Sequence, residues 1–195
     1  ILISLNSPSN HYIYEMFIQT EITPNPNSLK FLPGKAVSNN GSFEVTKKEE
    51  TDNELVRNIL SINGVTGVFL GEDFISINKN EDVNWEDIKH IAISLISDFY
   101  STGKEFVIAN ELLGEKNEEH TEIEKQIISI LESKIRPAVA KDGGDIKFKE
   151  FKDGIVKVEL QGSCSGCPSS TMTLKQGVQN LLCHYLPEVK EVVAI

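Results

Sequence analysis

The residues of this sequence best suited to chemistry are two cysteines separated by two residues, Cys164 and Cys167. A tetrahedral metal site or a cubane iron–sulfur cluster takes about four soft ligands. The chain has one further cysteine, Cys183, which lies outside the motif. A single chain therefore supplies half of a ligand set, and a closed thiolate site requires two chains. Such a site would lie at the surface on a dimer axis, where its contents can be passed on.

The elements on either side of the motif are expected to position it. A predicted strand from Ile155 to Leu160 precedes it, and a predicted helix follows, with an apolar face of Leu174, Val178, Leu181, Leu182 and Tyr185. The unpaired amides and the positive dipole end of a helix N-terminus favour thiolate over thiol, and they favour an anionic cluster. Gly162 and Gly166 allow close approach of the backbone. Pro168 suits the first helical position, where its missing donor costs little.

Three kinds of site fit this motif when the residues alone are considered. The first is half of a metal or iron–sulfur cluster site. The second is a dithiol redox motif of the kind found at a helix start in thioredoxins. The third is half of a structural zinc site. The redox interpretation is weakened because the motif follows two hairpin-like strands rather than a first βαβ unit, and because no aromatic residue precedes Cys164.

Other candidates for chemistry have simpler structural explanations. Cys183 and His184 lie on the predicted last helix, about 20 Å from the motif at 1.5 Å of rise per residue, so we expect Cys183 to be a small buried residue. Asp142 and Asp145 flank two glycines and are predicted to form a turn rather than an acid–base pair. The segment Pro24-Asn25-Pro26-Asn27 is predicted to be a rigid turn.

Composition restricts the classes of function. The net charge of −10 argues against non-specific binding to nucleic acid or to an anionic membrane. No apolar run approaches the roughly 20 residues that span a bilayer. Three cysteines, an odd number, do not form a disulfide framework, and no secretory signal is recognisable. A reducing compartment is therefore expected.

The sequence predicts an α+β protein of two small domains joined by a linker. Residues 1–15 are an extension of unknown role, and residues 16–105 form a first domain. Its predicted elements are a hairpin of strands at Met16–Thr23 and Leu29–Leu32, helices at Asp52–Leu60 and Trp85–Tyr100, and strands at Val65–Leu70 and Asp73–Asn78. Residues 106–121 are polar and are predicted to be a flexible linker.

Residues 122–195 form a second domain with the predicted order α-β-β-α-β, in which the cysteine loop lies between a strand and a helix. Thr121 and Glu124 are predicted to form a capping box at the start of its first helix. Pro137 is predicted to kink or end that helix. Asp153-Gly154 is the expected hairpin turn, and a short strand within Val189–Ile195 closes the domain.

Two long signatures resemble a known family. Arg136 to Ile146 (RPAVAKDGGDI) and Leu160 to Ser170 (LQGSCSGCPSS) resemble the C-terminal domain of NifU-type proteins. Phe17 to Glu21 (FIQTE) and Thr23 to Phe31 (TPNPNSLKF) resemble the N-terminal domain of Nfu iron–sulfur scaffold and carrier proteins. Together the resemblance covers about residues 16–195, and the domain order is that of mitochondrial and alphaproteobacterial Nfu proteins.

The resemblance implies a specific function. Cys164 and Cys167 of each chain would bind a [4Fe–4S] cluster that bridges a homodimer. An upstream donor would supply the cluster, and apo-proteins of the aconitase or lipoyl synthase types would receive it by thiolate exchange, without enzymatic catalysis. The alternative is a CxxC dithiol-disulfide oxidoreductase. The absence of a transit peptide and a start at Met16 favour the bacterial cytoplasm, with the mitochondrial matrix as the alternative.

Overall fold

An antiparallel five-stranded sheet forms the first domain. The structure is a computed structural model that describes residues 17–39, 41–104, 120–165 and 168–195. The strand order is β1-β2-β5-β4-β3. The strands are β1 Gln19–Ile22, β2 Ser28–Leu32, β3 Phe43–Val45, β4 Val65–Leu70 and β5 Ile75–Lys79. The helices are a 3₁₀ turn at Lys48–Glu50, α1 Glu54–Ile59 and α2 Trp85–Ser101.

The β1–β2 hairpin confirms the prediction from sequence, although β1 begins at Gln19 and Met16 lies outside the described residues. In the turn that joins the two strands, the Ser28 amide donates to the carbonyl of Asn25 at 2.9 Å. The sequence did not predict β3, because a strand of three residues is too short to show alternation.

The two faces of this sheet carry buried side chains of different polarity. Alternation along the strands directs Leu29, Phe31, Val68, Ile75 and Ile77 to one face, where α1 and α2 cover them. The residues between them therefore belong to the opposite face. These residues are also buried, and they include Lys30, Phe69 and Ser76. A sheet with helices on one face alone would expose these side chains, so a second body must cover them.

The second domain provides that cover. Its three-stranded sheet has the order β6-β7-β8, with β7 antiparallel to β6 and parallel to β8. The strands are β6 Gly144–Lys152, β7 Ile155–Gly162 and β8 Glu191–Ala194. The helices are α3 Glu122–Ile130, a π-helical turn at Leu131–Ile135, α4 Arg136–Lys141 and α5 Pro168–Tyr185. The predicted order α-β-β-α-β is confirmed.

The first helix of this domain begins as predicted, and the chain remains helical through a π-helical turn to the end of α4 at Lys141. Thr121 Oγ1 accepts from the Glu124 amide, and Glu124 Oε2 accepts from the Thr121 amide at 2.8 Å, which is a capping box. Pro137 does not end the helix. It lies in the first turn of α4, where its missing donor is tolerated, and the chain remains helical to Lys141.

The core of the second domain lies between its sheet and its helices. Its fully buried members include Ile127 of α3, Val156 and Val158 of β7, and Leu182 of α5. Tyr185, predicted on the apolar face of α5, is instead 47% exposed, and the Lys134 ammonium lies over its ring. Within the described residues, no helix is long and apolar enough to cross a membrane.

Candidate metal centre

The cysteine loop connects the end of β7 to the start of α5, as the sequence predicted. Cys164 lies in the described part of this loop, whereas Gly166 and Cys167 lie outside the described residues. The Ser165 amide donates to the Gly162 carbonyl at 3.2 Å, which turns the chain after the strand. Gly162 has a φ of +67°, a backbone conformation that favours glycine.

Cys164 is buried at the edge of the second core. Its side chain is 7% exposed and packs with the apolar residues between the sheet and the helices. A Cβ atom added at Gly144 would lie 2.7 Å from the Cys164 Sγ, so only glycine leaves room for the thiol there. The Thr171 hydroxyl of α5 donates to the Cys164 carbonyl at 3.1 Å. Backbone and side chain are thus both held in place.

Burial makes Cys164 a thiol rather than a thiolate in this arrangement. Removal from water raises the pKa of Cys164 to about 11, and the carboxylates of Asp142, Asp145 and Glu44 act in the same direction. The contact with the Ser163 hydroxyl lowers the pKa and offsets only part of this rise. The prediction that the helix N-terminus favours thiolate is therefore wrong for Cys164, because the loss of hydration outweighs that contribution. The thiolate is the form that binds metals, so the buried thiol of this arrangement is not in a metal-binding form.

The first domain contacts the cysteine loop directly through Asn25. This residue lies in the Pro-Asn turn and is 5% exposed. Its side-chain amide donates to the carbonyl of Ser163 at 3.1 Å and to that of Ser165 at 3.3 Å. The residue between these two acceptors is Cys164. The turn predicted to be merely rigid therefore also binds the backbone on both sides of a candidate ligand.

The polar face of the first sheet makes further contacts with the same region. The Ser76 hydroxyl donates to the Gly143 carbonyl at 2.6 Å, and the Asn78 amide donates to the Gly162 carbonyl at 3.1 Å. The Lys30 ammonium donates to two carbonyls at the end of α4, those of Ala140 and Lys141, each at 3.3 Å. The positive charge of Lys30 also interacts favourably with the negative dipole end of α4.

Glu44 of β3 holds the loop from the opposite edge of the sheet. One of its carboxylate oxygens accepts from the Gly162 amide at 3.2 Å and from the Ser165 hydroxyl at 3.2 Å. Burial raises the pKa of Glu44, and these two hydrogen bonds offset part of the rise. Loop residues 162–165 are therefore bound from two sides, with Asn25 as a hydrogen-bond donor and Glu44 as an acceptor.

A third connection joins the domains beside the loop. Asp145, expected to be a turn former, is instead the second residue of β6, and its side chain is 7% exposed. Arg136 donates to both of its carboxylate oxygens, each at 2.8 Å, and the Ser42 hydroxyl of the first domain donates to one of them. Asp142 ends α4 as its C-terminal cap residue. The expected turn role thus applies to Asp142 and is wrong for Asp145.

Replacing Arg136 with methionine should destabilise the second domain in a pH-dependent way. Burial would raise the pKa of Asp145, but the hydrogen bonds from Arg136 and Ser42 outweigh it and lower that pKa. The loss of Arg136 leaves a buried carboxylate poorly paired. Because the Arg136 side chain is 38% exposed, we expect a cost of about 2 kcal/mol at pH 7, below the range for fully buried pairs.

The pH dependence follows from the lowered pKa. A carboxyl whose pKa is lowered by folding stabilises the protein above its unfolded pKa of about 4 and loses this effect as pH falls through its folded pKa. The gap in unfolding free energy between wild type and Arg136→Met should therefore be full at pH 7 and shrink in acid. Urea unfolding at several pH values measures it. Arg57→Met, at an exposed site on α1, is the matched control; an equal loss in both variants would contradict the assignment.

Cys183 lies outside the cysteine loop, and its lack of a ligand role stays a prediction. It is partly buried on α5 and packs against the core of the second domain, in agreement with the expected structural role. Among the residues that the structure describes, no three His, Cys, Asp or Glu side chains are grouped as a metal site requires.

Sequence reasoning missed the residues of the first domain that contact the loop, which are Asn25, Lys30, Ser42, Glu44, Ser76 and Asn78. One signal was available for the β5 residues. Ser76 and Asn78 alternate with Ile75 and Ile77, which is typical of a strand with one polar face. That pattern normally indicates a face in water, so it did not reveal a buried polar interface.

Comparison with known proteins agrees with this architecture. A family model described as "Scaffold protein Nfu/NifU N terminal" matches residues 18–103, and one described as "NifU-like domain" matches residues 127–193. The chain is 45% identical over 185 residues to the human "NFU1 iron-sulfur cluster scaffold homolog, mitochondrial", covering 93% of this chain and 73% of that protein. It is 44% identical over 184 residues to the Arabidopsis thaliana "NifU-like protein 4, mitochondrial", covering 91% and 65% respectively. The chain thus spans about two thirds to three quarters of the length of these relatives.

Solved structures match parts of the chain. A solution structure of a NifU-like protein from Saccharomyces cerevisiae is 28% identical, with a TM-score of 0.44, and covers 48% of this chain and 86% of that one. A crystal structure of a Staphylococcus aureus protein is 30% identical, with a TM-score of 0.38, and covers 41% of this chain and 98% of that one.

These relatives correct one prediction. The expectation of a bacterial cytoplasmic protein is wrong, because the curated relatives reported above are named mitochondrial. That expectation relied on the first residues of the chain, which do not bear on the compartment when a chain matches only part of its relatives. Two family models in the expected order and close identity along most of the chain lead to one conclusion: this chain belongs to the Nfu/NifU-like family, with an Nfu-type N-terminal domain followed by a NifU-like domain.

Proposed function

We propose that this protein is an iron–sulfur cluster scaffold and carrier whose ligands are Cys164 and Cys167. The observation that carries the proposal is the incomplete ligand set: one CxxC pair per chain, in a family whose members include proteins named as cluster scaffolds. Two chains together supply the four thiolates of a [4Fe–4S] cluster. The cluster is cargo, and the protein is a carrier rather than an enzyme.

Transfer proceeds by exchange of thiolate ligands. A deprotonated cysteine of the receiving apo-protein forms a bond to an iron as the bond from that iron to Cys164 or Cys167 breaks, and the released thiolate takes up a proton. No electron is gained or lost. A site shared between two chains opens when the chains separate, which a site built within one chain cannot do.

The alternative function is a dithiol-disulfide oxidoreductase, which like metal binding uses the thiolate form of cysteine. Cys164 is buried and its pKa is raised, which bears equally on both functions. The oxidoreductase remains an outcome of the experiment below rather than a second proposal.

We extend the proposal to compartment, partners and domain boundaries. The compartment is the mitochondrial matrix, in line with the names of the relatives. The partners are a second copy of the chain, an upstream cluster donor and apo-proteins of the aconitase or lipoyl synthase types. The domains are residues 16–105 and 122–195, joined by a linker at 106–121, with an extension at 1–15.

Anaerobic reconstitution with iron and sulfide tests the function. We expect a brown protein that contains about four irons and four sulfides per two chains and has the native mass of a dimer. A colourless monomer whose two thiols turn over a disulfide substrate would replace the proposal with the oxidoreductase. A dimer that binds zinc tightly and does not yield it to iron under these conditions would indicate a structural site instead.

A further inference from the structure

We propose that the first domain is a releasable cap on the cluster site: its polar sheet face closes over the cysteine loop of the same chain, and it must separate before two chains can share a cluster. This inference rests on the proposed function, because it concerns access to the same site. It assigns the polar face of the first sheet a role in gating Cys164.

The contacts of the first domain include the loop on both sides of Cys164. Asn25 and Asn78 donate to loop carbonyls, Glu44 accepts from a loop amide and a loop hydroxyl, and Ser76 donates to the carbonyl of Gly143 in the turn before β6. The acceptors and donors on the other side are Gly143, Gly162, Ser163 and Ser165. These residues surround Cys164 in the chain and across the β6–β7 ladder. Docking of the first domain therefore also immobilises the loop, because the same hydrogen bonds do both.

Packing reinforces these hydrogen bonds. A Cβ atom added at Gly162 would lie 2.9 Å from Cγ of Phe69, so the ring of this β4 residue lies close against the loop backbone. Phe69 and Ser76 are almost fully buried, at 1% and 0% exposure. Both belong to the sheet face that α1 and α2 do not cover. Separation of the domains would expose this face and the loop together.

The chemistry of the interface suits reversible docking. Most of its contacts are hydrogen bonds to backbone atoms, which water can replace when the domains part. Among the described residues, three buried side-chain polar atoms have no hydrogen-bond partner, and one of them, Asn78 Oδ1, belongs to a residue of this interface. A cleft of about 580 Å³ also lies between the domains and is lined from both sides, by residues such as Phe74 and Arg136. The interface is therefore closed but not fully packed.

The closed arrangement is incompatible with a shared cluster. An iron–sulfur cluster held by two chains requires the ligand sulfurs of both to contact iron directly. With Cys164 only 7% exposed, a second chain cannot bring its cysteines to the same cluster. Separation of the domains removes the hydrogen bonds on both sides of Cys164 and gives a second chain access to the loop.

Labelling of the full-length apo-protein tests the cap without any cluster. The cap variant Asn25→Ala/Glu44→Ala removes a donor and an acceptor that hold the loop. The matched control Asn80→Ala/Glu81→Ala makes the same chemical change at exposed positions just beyond β5. Initial rates of alkylation by iodoacetamide at neutral pH are measured at Cys164 by peptide mass, with Cys183 as the internal reference. We expect Cys164 to react at least about tenfold faster in the cap variant than in wild type, with the control unchanged.

Three results would overturn the proposal. The first is slow labelling of Cys164 in a folded cap variant, which would show that the second domain alone protects it. The second is labelling of wild-type Cys164 as fast as in urea. The third is equal acceleration in the exposed control. Lys30→Met, which removes the contacts with the end of α4, is the independent variant if Asn25→Ala/Glu44→Ala does not fold, and it should also accelerate labelling.

Reconstitution separates failure of the cap from failure of the proposed function. The cap variant should take up iron and sulfide faster than wild type and reach the same final content. Equal uptake rates with accelerated labelling would contradict the gating role while leaving the scaffold function intact. A Cys164→Ala protein that still holds a full cluster would refute the ligand assignment whatever the labelling result.

Discussion

Replacing either Cys164 or Cys167 with alanine should abolish cluster binding and, with it, the cluster-bridged dimer. Each substitution removes two thiolates from a shared site, one from each chain, and leaves two ligands where about four are needed. We expect iron and sulfide contents at background after reconstitution and a native mass of the monomer. The measurements are metal analysis, absorption of the thiolate-to-iron bands and native mass spectrometry.

The matched control is Cys183→Ala, which removes the same side chain from α5 at a partly buried position. It should retain the full cluster, with a stability loss of about 1 kcal/mol for a small apolar truncation. Circular dichroism shows whether each variant remains folded. A stoichiometric cluster in Cys164→Ala or Cys167→Ala would contradict the ligand assignment. Cluster loss in Cys183→Ala would contradict the structural role expected for Cys183.

Replacing Gly162 with alanine should cause the largest loss of stability among single-residue changes near the loop. Its φ of +67° disfavours any residue with a Cβ. The added atom would also meet the Gly143 carbonyl oxygen at 2.6 Å, the Gly144 Cα at 2.9 Å and the Phe69 ring at 2.9 Å. Two of these neighbours are backbone atoms, so a side-chain rotation cannot relieve the clash.

Gly34→Ala isolates the part of this cost that comes from crowding. Gly34 has a φ of +69°, and a Cβ there would meet nothing within 4 Å. The control should cost about 1 kcal/mol from backbone conformation alone, whereas Gly162→Ala should cost about 3 kcal/mol from conformation and overpacking together. Urea unfolding gives both values. Equal costs would show that the loop and the first domain yield to the new atom, which would also weaken the evidence for tight capping.

The hairpins and helix ends were predictable because their causes are local. The two prolines in residues 24–26 favour a turn whatever the surrounding tertiary structure. The Thr121–Glu124 capping box likewise involves only residues within one helical turn. The order of elements in the second domain followed from apolar periodicity. The candidate cysteines followed from spacing alone. None of these conclusions depends on how one domain meets the other.

Pro137 and Asp145 show where local rules reached their limit. Proline was expected to kink or end its helix. The chain remains helical beyond Pro137, so the ending is wrong, and the α-helix is interrupted by a π-helical turn just before it. Asp145 has the composition of a turn but lies in β6, because Arg136 and Ser42 together satisfy its carboxylate. Ser42 is more than one hundred residues away in the chain, so no local pattern could indicate it.

The sequence by itself determined the CxxC spacing, the two modules and the family, because residue type, spacing and strand periodicity are properties of short segments. Only the tertiary structure decided the state of Cys164. Its side chain packs in the core of the second domain, burial raises its pKa to about 11, and Asn25 of the first domain donates to the carbonyls of the residues on both sides of it. The free energy of a thiol depends on the hydration and charge that surround it in space, and these are set by parts of the chain far apart in sequence.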